Sequence, residues 1–499
     1  MLFMIFPFFG ISQNISQTEK IEDFTILKKS ILKYYSHYDI KEKVTGINIK
    51  SFLEQKEEYL KRNNVSDKEF VYIVNSALTY CQDQHTGMIW YSFLDNYDSL
   101  IVNSFGKYDR DIIDNRQKQL LIYISDNVPN DYYQAISCNY LDGNYYTNLP
   151  IKYKGKRYEY GLRILKMNNK SIDSIVLENL DNIFCNWDFK NKKYYSELFS
   201  VSESEIFNRD SVSYTLLNHN QDTIRIIYAI GESDLIKYKK ARWIEININD
   251  VKYFKKEKIL YVRLLAMHFF YPNKILSKIQ KIRNKEIDKV VIDIRGNGGG
   301  NDMVWLSVIS SIIDKPLKIN INIATQNIEQ SKLFYSDVIS DNTEVIKVPY
   351  SQRDFYRIDW GADIKKYFQP NDSSLNYSGK IYVIQDKDIF SGAVSLSTLC
   401  LYSDRFISIG EENGKTGSFG EEPLIYILPN SQIMYRINAT VDFTDINKLK
   451  DYYNSVEIPL QYSIDDYYNR ASKQLSLYSK HFLKTKDPFF KYILNLPTD

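Results

Sequence analysis

The spacing of apolar residues changes twice along the chain and divides it into three regions. From about residue 20 to 91 apolar side chains recur at three- and four-residue steps, as in Phe24, Leu27 and Ile31, which predicts helices. Short apolar runs bounded by Gly and Asn follow to about residue 230 and predict β-strands, for example 119–125 (QLLIYIS), 162–167 and 223–228. Beyond about residue 243 longer apolar runs alternate with helical segments, which is typical of a parallel α/β sheet covered on both faces.

The first residues indicate export. Residues 2–11 (LFMIFPFFGI) form an apolar run that is too short to span a bilayer and is followed by a polar stretch. This order predicts a secretory signal over residues 1–17, with cleavage near Gln13, and therefore a periplasmic or extracellular location. The alternative is a buried N-terminal strand or helix. No later segment is long and apolar enough for a membrane helix.

Composition narrows the classes of function. The 499 residues are 44% hydrophobic and 25% charged, which predicts a folded protein of two or three domains. The net charge of +2 gives no electrostatic reason to bind nucleic acid. Five scattered histidines and four cysteines without a CxxC pair predict no metal site.

The first candidate for chemistry is a glycine-rich turn. The buried run 290–294 (VVIDI) leads into Arg295-Gly296-Asn297-Gly298-Gly299-Gly300, and an apolar helical segment follows. Glycines at such a turn allow backbone N–H groups to point outward and cradle an anion or oxyanion. The spacing matches neither phosphate-binding motif, GxGxxG or GK[ST]. The alternative is that the glycines only permit a tight turn.

The second candidate is a serine between a strand and a helix. The predicted strand 380–385 (KIYVIQ) is followed by 386–390 and then by Ser391-Gly392-Ala393 at the start of a helical segment. A hydroxyl at a helix N-terminus meets the positive end of the helix dipole, which favours developing negative charge. Serine is also a common helix cap, so a purely structural role for Ser391 remains open.

Together the two turns predict an acyl-transfer site. Ser391 would attack a carbonyl carbon, and the N–H groups of Gly392 and of Gly298 or Gly299 would hold the oxyanion. Both turns follow predicted parallel strands, and open α/β sheets place their sites at the carboxyl ends of such strands.

Several runs of the sequence resemble those of the S41 serine peptidases, which include C-terminal processing proteases and the tricorn protease core. These runs are 293–300 (DIRGNGGG), 389–393 (IFSGA) and 410–417 (GEENGKTG), and 80–87 (YCQDQHTG) is similar to the family's D-x-H-T element. The likeness extends from about residue 23 to 468. It implies a ClpP/crotonase-like α/β core and cleavage of peptides or unfolded protein tails without a cofactor.

The resemblance also implies a division into domains. A helical subdomain would span residues 18–96, and a β-rich region would span 97–242 with a PDZ-like segment at about 150–235. The catalytic α/β core would cover 243–470 and a helical tail 471–499.

Two residues compete for the role of the general base. Processing proteases use a lysine after the serine, and Lys415 lies near that position, 24 residues after Ser391. Tricorn-like members use an N-terminal histidine, which His85 matches, and histidine needs little tuning to act near pH 7. His85 is the favoured base, and Glu457 is the candidate acidic partner. The other four histidines match no motif and are interpreted as surface or packing residues.

Two other functions remain open. Departures from the family pattern at Gln84, Val394 and Phe419 would suit a binding protein that kept the fold and holds peptide termini. A crotonase-like acyl-CoA enzyme would share the fold and the oxyanion hole but needs no serine nucleophile, and the secretory start argues against it.

Overall fold

The computed structural model describes residues 14–89, 109–127, 136–197, 211–229, 249–268, 272–319, 321–336, 338–358, 368–415, 423–453, 455–472 and 477–497. The predicted signal segment lies almost entirely outside the described residues. Helices and several β-sheets alternate along the chain, so the predicted α/β class is confirmed.

The N-terminal region is helical, as its apolar spacing predicts. It contains α1 (Gln17–Tyr34), α2 (Tyr38–Thr45), α3 (Ile49–Arg62) and α4 (Asp67–Thr79), followed by the short strand β1 (Gly87–Met88). Ser16 caps α1 in a capping box with Glu19, and Ser66 caps α4 through the N–H of Glu69. Apolar stripes such as Phe24, Leu27 and Ile31 are fully buried against the neighbouring helices.

The strand predicted at 119–125 is wrong. These residues belong to α5 (Arg110–Asn127), an 18-residue helix that packs on α4. Its buried face contains Ile113, Arg116, Gln117 and Leu120, at helical spacing. Two of these four buried residues, Arg116 and Gln117, are polar, and Arg116 is ion-paired with Asp67. The spacing of apolar residues alone therefore does not indicate this helix.

A β-rich region follows. Its strands are β2 (Cys138–Leu141), β3 (Asn144–Thr147), β4 (Ile151–Tyr153), β5 (Lys156–Tyr158), β6 (Arg163–Met167), β7 (Lys170–Ser171), β8 (Asn186–Asp188), β9 (Lys193–Tyr195), β10 (Ser211–Leu217) and β11 (Thr223–Ala229), and the helix α6 (Ile172–Glu178) interrupts them. Five of the strands form a sheet in the order β11-β10-β6-β3-β2, with β7 paired to β6. The strands predicted at 162–167 and 223–228 are therefore confirmed.

A mostly parallel sheet forms the centre of the remaining chain. Its strands are β12 (Asp250–Phe254), β13 (Ile259–Arg263), β14 (Lys289–Asp293), β18 (Ile381–Gln385), β19 (Phe406–Gly410) and β23 (Ile458–Pro459), in that spatial order. Only β12 runs antiparallel to its neighbour. Because β14 and β18 are adjacent and parallel, the turns that follow them lie at the same edge of the sheet.

Helices cover both faces of this sheet, which explains the near-continuous apolar runs. One face packs against helices α7 (Pro272–Gln280), α8 (Met303–Ser310) and α10 (Gly392–Tyr402). The other face packs against the C-terminal helices α11 (Ile464–Ser472), α12 (Lys480–Thr485) and α13 (Pro488–Asn495). Successive strand residues alternate between the two cores, so that Ile292 contributes to one and Val291 to the other.

Two smaller sheets join the N-terminal helices to the core. Strands β16 (Val345–Lys347), β17 (Asp354–Ile358), β15 (Ile323–Gln326) and β22 (Thr440–Asp442) form one, with the helix α9 (Glu329–Phe334) after β15. The other has the order β1-β21-β20, with β20 at Leu424–Ile427 and β21 at Met434–Ile437. Since β1 pairs with β21, the segment around His85 is held against the core. Within the described parts of the chain, no helix combines the length and the apolar character needed to cross a bilayer.

Candidate active site

Ser391 lies at a strained turn between β18 and α10. Its backbone has φ 52° and ψ −128°, a conformation that residues with a side chain rarely adopt. The hydroxyl forms no capping hydrogen bond with the helix, so the structure does not support the alternative that Ser391 only caps α10. Such a turn projects a side chain away from the end of the sheet, as at the nucleophile of many hydrolases.

His85 is the side chain that meets the Ser391 hydroxyl. Its Nε2 lies 3.2 Å from Ser391 Oγ, although the two residues are 306 positions apart. The imidazole also packs on the ring of Phe390, with 4.5 Å between ring centroids. Both side chains of the pair are partly exposed, so the hydroxyl is not sealed inside the core.

The backbone around His85 is fixed by buried polar contacts. The fully buried Asp83 accepts the N–H of His85 at 2.9 Å through Oδ1 and the side-chain amide of Asn438 at 3.1 Å through Oδ2. Asn438 also donates its own N–H to Thr86 Oγ1 at 3.1 Å. These hydrogen bonds connect the turn after α4 to the end of β21, and they hold the backbone of His85 in place near Ser391.

The glycine-rich turn after β14 touches the serine turn directly. A Cβ on Gly299, whose φ is 92°, would lie 2.5 Å from Ser391 Cβ and 2.6 Å from the Phe390 carbonyl oxygen. The N–H of Phe390 donates to the Asn297 carbonyl at 2.9 Å. The sequence-based expectation that the two turns converge therefore agrees with the structure, and glycine is required at 299 for the close approach.

The backbone N–H groups of Gly298, Gly299 and Gly392 are not equally free to donate a hydrogen bond to a ligand. The N–H of Gly299 donates to Asn297 Oδ1 at 2.8 Å, so this group is already used inside the turn. Gly298 is exposed, and a Cβ added to it would meet nothing within 4 Å. Gly392 begins α10, and the first N–H groups of a helix have no partner within the helix. Gly298 and Gly392 are thus better placed as donors to a ligand than Gly299.

Buried charges hold the glycine turn in place. The Arg295 guanidinium, with no exposed side-chain area, donates to Asp293 Oδ1 at 2.9 Å and to Asp487 Oδ2 at 2.6 Å. Tyr462 and Tyr261 complete the hydrogen bonds of this cluster. Arg295 thereby ties the turn to the cap of the C-terminal helix α13.

A second carboxylate connects the two turns. Asp386 Oδ1 accepts the N–H of Gly296 at 3.0 Å and that of Asp388 at 3.1 Å. Burial, reinforced by the charge of Asp388, raises the pKa of Asp386 to about 6. One side chain after β18 therefore fixes the backbone after β14.

Lys415 lies near the carboxylates of Asp386 and Asp388. Burial lowers its pKa, while the charges of Asp388 and Asp386 oppose that effect. Its backbone N–H donates to Asn413 Oδ1 at 2.8 Å, and the preceding Gly414 packs closely on the backbone of Trp187. The predicted departure at Phe419 lies outside the described residues.

Glu457 is exposed just before β23. Its backbone N–H donates to Ser408 Oγ at 2.9 Å, and its charge acts on the buried thiol of Cys400. Its role as acidic partner stays a prediction.

The sequence analysis assigned no role to Asp83 or Asn438, although Asp83 belongs to the D-x-H-T element that contains His85.

The described residues contain no group of three or more His, Cys, Asp or Glu side chains that could hold a metal ion. All four cysteines are buried free thiols. At this edge of the sheet the structure brings together a hydroxyl, an imidazole and backbone N–H groups.

A parallel α/β sheet with a serine at a strand–helix turn, beside an imidazole and a glycine-rich turn, is an arrangement typical of serine hydrolases. Residues 258–442 match the model described as peptidase family S41. This segment contains Ser391 and the glycine-rich turn, so the part of the chain that carries the candidate site is similar to the S41 serine peptidases.

Two solved structures share the fold over almost their whole length. Mature CPAF is 11% identical, with a TM-score of 0.58 over 97% of this chain and 99% of that chain. Mature CPAF complexed with lactacystin is also 11% identical, with a TM-score of 0.55 over 94% of this chain and 98% of that chain. At this identity the likeness concerns the fold alone. A search of curated proteins gave no match.

Proposed function

We propose that this protein is a serine endopeptidase that cleaves peptides or unfolded protein tails through an acyl-enzyme on Ser391, with His85 as the general base. The proposal depends above all on the 3.2 Å separation between His85 Nε2 and Ser391 Oγ. This distance is within hydrogen-bond reach, as transfer of the serine proton requires.

The reaction would proceed in two steps. As Ser391 Oγ attacks the peptide carbonyl carbon, His85 Nε2 takes the hydroxyl proton and later gives it to the leaving amine. A water molecule, deprotonated by the same imidazole, then attacks the acyl carbon and releases Ser391. The N–H groups of Gly298 and Gly392 would stabilise the oxyanion in both steps, because the N–H of Gly299 is engaged by Asn297.

Asp83 acts in this scheme as a positioning residue. It holds the backbone of His85 through Oδ1 while Asn438 fixes its Oδ2, so the imidazole stays in place during the proton transfers. Lys415 is the alternative base. Its lowered pKa fits that role, but the carboxylates beside it favour the charged form, which cannot accept a proton.

The finer features of the fold belong to the same proposal. The central sheet with β14, β18 and their following helices would correspond to a ClpP/crotonase-like core. The PDZ-like region would lie within residues 150–235, which contain the strands from β4 to β11. Residues 1–17 would direct export to the periplasm or the cell exterior.

A fluorophosphonate probe tests the nucleophile, since it reacts with an activated serine without needing a particular peptide. We expect the wild type to be labelled and Ser391→Ala to be unlabelled. Absence of labelling in the wild type, in a sample that unfolds cooperatively, would favour the peptide-binding protein instead.

The base is tested by comparing His85→Ala with Lys415→Ala. Loss of a base should slow labelling by about 100-fold to 10,000-fold, so His85→Ala should be far slower than Lys415→Ala. The reverse order would assign the base to Lys415. Glu457→Gln in the same assay tests the acidic partner, and a rate equal to that of the wild type would remove it from the mechanism.

A further inference from the structure

The strained backbone of Ser391 must be held by the contacts around it. A residue with a side chain keeps a φ of 52° only where its surroundings fix that conformation. The central sheet supplies part of this support, because the N–H of Phe390 donates to the Asn297 carbonyl at 2.9 Å. Further contacts of the serine turn, residues 386–391, lead away from the sheet and into the β-rich region.

Lys387 is a buried cation within the serine turn, four residues before Ser391. Its side chain is only 8% exposed, and its Nζ lies 3.2 Å from Glu197 Oε1 and 4.0 Å from Glu411 Oε2. A buried ammonium group without a close counter-charge is strongly destabilising. Of these two carboxylates, only that of Glu197 is within hydrogen-bond distance of Lys387.

Glu197 belongs to the β-rich region and is fixed there by both of its carboxylate oxygens. Its Oε1 accepts the N–H of Tyr140 at 2.7 Å, and its Oε2 accepts the side-chain amide of Asn139 at 2.9 Å. Both donors lie on β2. The position of Lys387, and with it the first half of the serine turn, is therefore coupled to a strand of the β-rich region.

A second route joins the same two parts of the molecule through backbone groups. Trp187 of β8 donates its N–H to the Gly414 carbonyl at 3.1 Å, and a Cβ on Gly414 would collide with the Trp187 carbonyl oxygen. The adjacent Asn413 is fully buried and donates its side-chain amide to the Ile389 carbonyl at 2.5 Å. This carbonyl lies two residues before Ser391. The loop after β19 is thus held between β8 and the serine turn.

From these two routes, we propose that Glu197 is a positioning residue for Ser391, which acts through Lys387 from outside the central sheet. The inference rests on the proposed peptidase function and adds that the β-rich region helps to hold the nucleophile in its reactive conformation. Without the Glu197 carboxylate, Lys387 would move toward Glu411, its other counter-charge, and the serine turn would relax. The hydroxyl would then be misaligned with His85, although neither of these two side chains is altered.

The test measures fluorophosphonate labelling of the full chain over a range of probe concentrations, which separates the maximal rate constant from the half-saturating concentration. We expect Glu197→Gln, which keeps the size of the side chain, to lower the maximal rate constant by about tenfold to 100-fold, since a shift of about 1 Å in a catalytic group costs about 100-fold. The half-saturating concentration should not change, because positioning of the nucleophile affects the chemical step rather than binding of the probe. A loss of stability alone would alter neither constant at a temperature where the variant is folded.

Asp173→Asn is the matched control. Asp173 forms an ion pair with Lys193 at 2.8 Å inside the β-rich region, so this substitution also removes a carboxylate from a lysine. It should be labelled at the wild-type rate. Equal slowing of Asp173→Asn and Glu197→Gln would overturn the proposal, because any disturbance of the β-rich region would then have the same effect.

Lys387→Met tests whether Glu197 acts through Lys387. If it does, adding Glu197→Gln to Lys387→Met should slow labelling by no more than about twofold further, whereas the effects of independent sites multiply. Effects that multiply would overturn the assignment of Glu197 as the partner of Lys387.

Gly414→Ala tests the second route and does not alter a charge. Gly414 has no left-handed φ, so the added methyl group acts through its collision with Trp187. Separation of β8 from the loop after β19 should slow labelling by about tenfold or more. The proposal is refuted, and the peptidase left intact, if the wild type, Glu197→Gln and Gly414→Ala are all folded and labelled at the same rate. Absence of labelling in the wild type would refute both.

Discussion

The contact between Gly299 and Ser391 allows the proposed site to be tested with a single methyl group. In Gly299→Ala the added Cβ would lie 2.5 Å from Ser391 Cβ, whereas two carbon atoms normally approach to about 3.5 Å. The two turns must therefore separate by about 1 Å. The backbone of Gly299, with φ 92°, adds the cost of a side chain in the left-handed region.

These two effects have estimable magnitudes. The left-handed backbone costs about 1–2 kcal/mol for alanine, and overpacking of a closely packed contact adds about 1–3 kcal/mol. We therefore expect Gly299→Ala to lose about 2–5 kcal/mol of unfolding free energy. A misplacement of about 1 Å in a catalytic group costs about 100-fold in rate, so labelling of Ser391 should slow by that factor.

Gly46→Ala is the matched control. Gly46 has a φ of 74° at the end of α2, but a Cβ there would meet nothing within 4 Å. It should lose only the backbone contribution of about 1–2 kcal/mol and be labelled at the wild-type rate.

The assay combines urea unfolding with the rate of fluorophosphonate labelling at a temperature where all three proteins are folded. The reasoning is refuted if Gly299→Ala is labelled as fast as Gly46→Ala, because the two turns would then not be in contact.

Three further predictions concern stability and follow from other features of the site. Ser391→Gly should be more stable than Ser391→Ala by about 1–2 kcal/mol in urea unfolding, because glycine adopts a positive φ without strain; equal stabilities would mean that the turn is unstrained. Asp487→Ala should lose about 3–5 kcal/mol in the same measurement, since it leaves the buried Arg295 with one carboxylate fewer, and a loss below about 1 kcal/mol would contradict this account. Burial lowers the pKa of Lys41 from 10.5 to about 8, so between these pH values the unfolded chain binds more protons and stability should rise with pH. Lys41→Met should remove about 3 kcal/mol of that rise, and an identical pH dependence in both proteins would show that Lys41 is not desolvated.

The sequence was most informative where local pattern and burial agree. The strands β14 and β18 are apolar throughout because both of their faces are covered, and each is followed by residues that suit only a turn. Parallel strands that are adjacent place these turns together, so Gly299 and Ser391 could be expected to meet before any coordinates were known.

Prediction failed where buried side chains are polar. Helix α5 buries Arg116 and Gln117 beside Ile113 and Leu120, and its C-terminal part is rich in residues with high β-propensity. The ion pair with Asp67 offsets the cost of burying the Arg116 charge. Because these two residues lie 49 positions apart, the pair leaves no local sequence pattern.

The contacts around His85 could not be predicted from sequence either, because they join residues that are far apart along the chain. The motif that contains His85 suggested its role, but the contact of Asp83 with Asn438 joins residues 355 positions apart. His37, interpreted from sequence as a surface or packing residue, is buried.

The ion pair between Arg295 and Asp487 also bears on when the protein acquires activity during synthesis. A ribosome must translate past Asp487 before Arg295, at the start of the glycine-rich turn, has its second counter-charge and before the C-terminal helices can cover the sheet. A nascent chain would thus carry Ser391 and His85 well before this ion pair could fix the glycine-rich turn that contacts Ser391.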